Sequence, residues 1–195
     1  FAEEAAYKWI LWLMVELAAV VKWETVRLML FLSAQLSLAT KQVDFTAAFV
    51  HADIDLPPGY ENLTQEEKDR SGVYVEMPRG FAEPGKVLKL KKNLYGLKQA
   101  PRNWGKHRDE NLKAVGFRQC VDVDPCLFMS DHVVCLAYVD DVIFLSRNMA
   151  EIDKIVAKLR ARKMELEEES DVSGFLGVHI EQENGKVILM QEGLT

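Results

Sequence analysis

The pair Asp140-Asp141 closes the run Tyr138-Val139-Asp140-Asp141 and lies between two strongly apolar strand halves. Carboxylates beside a core are unfavourable unless a cation or a hydrogen-bond donor meets them. Taken alone, the four residues read better as an Asp-rich, solvated hairpin turn than as a metal site. A third carboxylate changes that balance, because Asp44 stands in a second apolar strand pattern, Val43-Asp44-Phe45, far earlier in the chain. Two strands can then present a cluster of carboxylate oxygens. Such a cluster suits two Mg2+ ions about 3.5–4 Å apart, one activating an attacking hydroxyl and the other neutralising a leaving pyrophosphate. That is the chemistry of polymerases and nucleases.

Charge is unevenly spread. The 195 residues carry a net charge of -6, which argues mildly against a general polyanion binder. Between Lys86 and Lys113, however, nine Lys and Arg face only Asp109 and Glu110, a local balance of +7. A basic strip beside a carboxylate cluster is where a phosphate backbone would lie, although such a strip is also often a plain solvated face. The acidic counterweight, Glu165, Glu167, Glu168, Glu169 and Asp171, reads as a solvated helix end. His51, His107 and His179 show no ligand spacing, and Cys120, Cys126 and Cys135 form no CxxC pair, so a reducing intracellular compartment is expected.

The elements that must position these residues follow from hydrophobic period and turn chemistry. Trp9 to Val21 reads as a buried helix, too short and too acidic at Glu16 to span a bilayer. No secretory leader and no membrane partner are expected. A second helix is predicted over Glu24 to Leu38, with Thr25 as N-cap, then a strand over Lys41 to Ala47 and a surface excursion from Pro57 to Gly72. Val73 to Met77 and Val87 to Lys91 form a hairpin through Pro78 to Gly85. Helix then follows Pro101 and stops at Gly116. Strands are predicted over Cys126 to Met129, Val133 to Val139 and Val142 to Leu145, and a helix over Met149 to Glu169. A last hairpin joins Phe175 to Ile180 with Val187 to Met190 through Asn184-Gly185. The order implies an α+β fold with mostly antiparallel pairing.

Several separate segments resemble the reverse transcriptase domain of copia-type LTR retrotransposons, in matching order. Gln42 to Asp53, QVDFTAAFVHAD, looks like the family's first catalytic strand, Leu94 to Trp104, LYGLKQAPRNW, like its template and nucleotide segment, and Tyr138 to Asp141 like its metal-binding hairpin. Phe175 to Ile180 is similar to the primer-grip hairpin, and Val73 to Gly80 to the segment before it. The resemblance runs from about Val20 to the end of the chain.

The resemblance implies a right-hand polymerase palm, a ferredoxin-like antiparallel sheet with helices on one face, plus partial fingers. Residues 1–40 would be an atypical helical remnant of the fingers, and residues 41–195 the palm with its fingers hairpin, ending at the start of the thumb. Asp44, Asp140 and Asp141 would be the catalytic ligands of two Mg2+ ions, or of Mn2+ in their place. Phe49 matches the aromatic steric gate against a ribose 2'-OH, and Gln99 and Arg102 would position nucleotide or template. Lys89, Lys91, Lys92, Lys98, Tyr138, Phe175, Leu176 and Gly177 would touch primer and template. Lys163 is the nearest candidate for the family's nucleotide-side lysine. Expected partners are dNTPs, an RNA or DNA template with its primer, and the thumb and ribonuclease H regions of a longer polyprotein. The expected location is a cytoplasmic virus-like particle or the nucleus.

Two other classes stand beside this reading. One is a catalytically inactive retroelement fragment that at most binds nucleic acid. Departures from the family favour it: Phe1 to Ala19 carries only Lys8 as a base and shows no fingers strand pair. The other is a palm-fold nucleotidyl cyclase, against which the basic strip and the LYGLKQAPR stretch argue.

Overall fold

The apolar runs around the carboxylates build one antiparallel sheet, seen in a computed structural model that describes residues 19–56, 59–81, 83–169, 172, 174–176, 178–183 and 186–190. In chain order its elements are α1 (Trp23–Gln35), β1 (Ala39–Asp44), a short α2 (Ala48–His51), α3 (Gln65–Arg70), β2 (Tyr74–Val75), β3 (Leu88–Lys89) and α4 (Ala100–Ala114). There follow β4 (Arg118–Gln119), β5 (Leu127–Met129), β6 (Val133–Tyr138), β7 (Asp141–Ser146), α5 (Met149–Ala161), β8 (Glu167–Glu169), β9 (Gly174–Phe175), β10 (Val178–Glu183) and β11 (Lys186–Met190). The main sheet has the order β4-β5-β6-β7-β1-β8. The strands β9 to β11 form a second sheet, and β2 with β3 a small hairpin.

Strand alternation divides the core in two. Val43, Val142, Phe144, Cys135 and Ala137 face one side, where Trp104 and Leu112 of α4 and Ile152, Val156 and Leu159 of α5 pack on them. Leu136, Ile143 and Leu145 face the other side, covered by Val26 and Leu30 of α1 and by Phe175 and Ile180 of the second sheet. The two central helices thus share one face, while α1 lies on the opposite one. Pro101 in the first turn of α4 and Gly116 at φ 111° just beyond its end bound that helix where the sequence predicts.

The structure corrects several boundaries, among them the strand predicted over Phe175 to Ile180, which a left-handed Leu176 at φ 57° splits into β9 and β10. Lys22 rather than Thr25 precedes α1, and the Thr25 hydroxyl instead bonds the Asp124 carboxylate. The strand predicted to reach Ala47 ends at Asp44, because Ala47 turns left-handed at φ 52° and starts α2. The excursion after Pro58 contains α3, whose Thr64 and Glu67 cap each other's backbone amides in a reciprocal box. The helix predicted through Glu169 stops at Ala161, since Lys163 adopts φ 64° and the glutamates leave as strand β8, paired to β1. Glu167 to Glu169 are therefore a sheet edge and not a helix end. The predicted helix before Val21 falls almost wholly outside the described residues, and so does the Asn184-Gly185 turn. Among the described residues no helix is long and apolar enough to cross a membrane.

Candidate active site

Register brings the carboxylates together. Asp44 on β1 lies directly opposite Asp141 on β7, Asp141 opposite Tyr138 on β6, and Asp44 opposite Glu167 on β8. Directly opposed residues leave an antiparallel sheet on the same face with Cβ atoms about 4.5–5.5 Å apart, so one rung carries a tyrosine and three acids. Asp140 occupies the two-residue turn between Tyr138 and Asp141, and its carbonyl accepts the Phe45 amide at 3.0 Å. The tip of the β6–β7 hairpin is thereby tied to the end of β1.

The negative charges act on one another. Burial first, then the charges of Asp140, Asp44 and Glu169, push the Asp141 carboxyl up to about 6. Burial, then Asp140, Glu167 and Glu169, raise Asp44 as well. Both shifts express a site that disfavours its own charge, and a cation among the carboxylates would relieve it. The donors are hard oxygens of the kind Mg2+ takes. Among the described residues no three acidic, His or Cys groups already stand in ligating geometry. The set therefore fits Mg2+ by donor type and charge, and ligation requires the carboxylates to turn toward one another.

An aromatic pair stands near the acids. The rings of Phe49 on α2 and Tyr95 are 4.6 Å apart and inclined at 47°. Tyr95 is 56% exposed and precedes Gly96, whose φ of 96° makes the turn. Burial, then the charges of Asp140 and Asp44, raise its phenol. Within the LYGLKQAPRNW stretch the sequence gives Tyr95 no role of its own; the only signal there is an aromatic directly before a glycine.

The chain matches the family model described as reverse transcriptase (RNA-dependent DNA polymerase) over residues 12–194. It is 32% identical over 183 residues to the retrovirus-related Pol polyprotein from transposon TNT 1-94 of Nicotiana tabacum, covering 89% of this chain and 12% of that polyprotein. The chain belongs to the copia-type reverse transcriptases. A second relative of this reverse transcriptase domain is the transposon Ty1-GR3 Gag-Pol polyprotein of Saccharomyces cerevisiae, 30% identical over 166 residues, with 79% of the chain and 8% of the polyprotein covered. The domain thus spans only a small part of the polyproteins it matches. Among solved structures it resembles apo telomerase from Candida tropicalis truncated from its C-terminal domain, with 12% identity, a TM-score of 0.45, and 88% and 41% of the two chains covered.

Within the reverse transcriptase domain the other predicted site residues are spread out. Arg102, mostly buried, pairs with Asp55 at 2.8 Å, and Gln99 is the half-buried N-cap of α4. Lys89 on the β2–β3 hairpin pairs with Asp69 at 2.9 Å, and Lys92 with Asp53 at 2.7 Å. Lys91 and Lys98 are exposed. Phe175 is buried in the second core, Leu176 beside it takes φ 57°, and Gly177 lies outside the described residues. Lys163, exposed at φ 64°, terminates α5.

Proposed function

We propose that this chain is the palm, with part of the fingers, of an RNA-directed DNA polymerase that adds dNTPs to a primer 3'-OH along an RNA or DNA template. The observation that carries the reading is the Asp44–Asp141 pairing beside Asp140 at a sheet end, in a chain of this family. Asp44 and Asp140 would hold both metal ions and Asp141 would complete the set. When bound there, Mg2+ supplies activation of the primer hydroxyl and neutralises charge on the departing pyrophosphate. Phe49, backed by Tyr95, presents a ring edge to the sugar and rejects a 2'-OH by volume. The exposed Lys91 and Lys98 draw backbone phosphates toward the carboxylates by charge.

The test is primer extension on poly(rA)/oligo(dT) with Mg2+ and labelled dTTP, set against the Asp140→Asn, Asp141→Asn double variant. Extension by the chain and its loss in the variant is the expected result. Extension retained by the variant removes both residues from the mechanism. A folded chain that binds primer-template but extends it under no Mg2+ concentration, even when carried within a longer polyprotein segment, is an inactive fragment.

A further inference from the structure

We propose that Trp104 and Arg108 are positioning residues that aim Asp140 by clamping the peptide before it. The inference rests on the reading of Asp140 as a metal ligand. Val139 is β-branched yet sits at φ 47°, a conformation such residues rarely adopt. Something outside the turn must hold it there. Its carbonyl oxygen accepts the Trp104 indole Nε1–H at 2.6 Å and the Arg108 Nη1–H at 3.1 Å.

Both donors are built for the purpose. Trp104 and Arg108 lie four residues apart on the buried stripe of α4, with 1% and 3% of their surface exposed. The guanidinium is fixed in its plane by Asp109, whose Oδ1 accepts from Arg108 Nε at 3.0 Å and Nη2 at 2.8 Å. The other Asp109 oxygen accepts from Gln119 Nε2 at 3.1 Å. The Trp104 ring packs edge-on to Phe45 at 5.4 Å, and it is the Phe45 amide that donates to the Asp140 carbonyl. Peptides on both sides of Asp140 are therefore anchored, one to α4 and one to Phe45, the residue just past β1. Only its side-chain torsions remain free to seek the metal, and partners behind a ligand of this kind are worth about 10–100-fold in metal affinity or activity.

The test uses the full chain with Mn2+ as a spin-active stand-in for Mg2+, titrated by EPR, alongside the backbone carbon chemical shifts of Val139. Trp104→Phe keeps an aromatic ring and removes the donor; Arg108→Met removes the second donor, and Arg108→Lys restores one. Trp104→Phe and Arg108→Met are each expected to move the Val139 shifts out of the left-handed range and to weaken Mn2+ about tenfold or more, with Arg108→Lys recovering part of the affinity. Comparison is made at a temperature where thermal unfolding shows each variant folded. Unchanged Val139 shifts and unchanged Mn2+ affinity in both Trp104→Phe and Arg108→Met overturn the clamp while leaving the metal reading intact. Failure of the unmodified chain to bind Mn2+ overturns the metal reading and, with it, the aiming role, whatever the shifts do. Equal loss of affinity in Arg108→Lys and Arg108→Met, with Val139 unmoved, reduces Arg108 to a core anchor.

Discussion

Replacing Asp141 by Asn measures how strongly the hairpin resists its own charge. The carboxyl is raised from an ordinary 3.8 to about 6, burial being the largest cause and Asp140, Asp44 and Glu169 following. The folded chain thus takes up a proton at a higher pH than the unfolded chain does. Above both values the group is charged in either state and the fold bears the penalty; below both it is neutral and the penalty is gone. Two pKa units correspond to a ceiling of about 3 kcal/mol. The side chain is only half-buried, so solvent screening brings the expected gain of Asp141→Asn to about 1–1.5 kcal/mol at pH ~7.5, shrinking toward zero by pH ~3.5. Urea unfolding followed by tryptophan fluorescence across that range reads the difference directly. A variant no more stable than the parent near neutrality, or a difference that does not change with pH, refutes the reasoning. Added Mg2+ should narrow the gap by stabilising the parent more than the variant, which keeps Asp44 and Asp140 but loses one carboxylate.

Two further changes probe the frame around the site. Lys163→Gly should stabilise the chain by about 0.5–1 kcal/mol, because an exposed lysine there holds φ 64° after α5; a lower unfolding midpoint would count against it. Asp124 is fully buried, and although burial works to raise its carboxyl, the amides of Lys22 at 2.9 Å and Cys126 at 2.8 Å, with the Thr25 hydroxyl, hold it below the ordinary range. Its contribution is present above the unfolded pKa and is lost as pH falls through the folded one, so Asp124→Asn should cost about 1–3 kcal/mol near neutrality in a urea titration.

Much of the frame around the candidate site was legible as sequence because its signals are local. Apolar runs broken by Asp44 and by Asp140-Asp141 mark strands that end in carboxylates, and Pro101 with Gly116 brackets α4. The glutamates of β8 carry no strand signal, because Glu is a weak strand former and three in a row after a helical pattern look like its frayed end. Pairing overrides that preference: Gln42, Val43 and Asp44 pair with them in register, and Glu168 on the opposite face meets Lys41 and, at 2.6 Å, Arg160. Thr64 and Glu67 carried a visible capping pattern, but no apolar run follows it to announce a helix. The clamp on Val139 had no sequence signal, since its donors are far along the chain and a backbone carbonyl has no side-chain identity to read.

The glutamates of β8 also bear on how copies of this chain treat one another. β8 ends the six-stranded sheet, and a terminal strand offers unpaired amides and carbonyls as a template for another molecule's backbone. Glu167, Glu168 and Glu169 are all exposed along it. Two such edges meeting would set like charges against like, so near neutral pH this border repels its own image and sheet-to-sheet growth is discouraged. Dissolved salt screens like-charge repulsion of this kind, leaving high ionic strength as the condition in which the chain is most exposed to self-association.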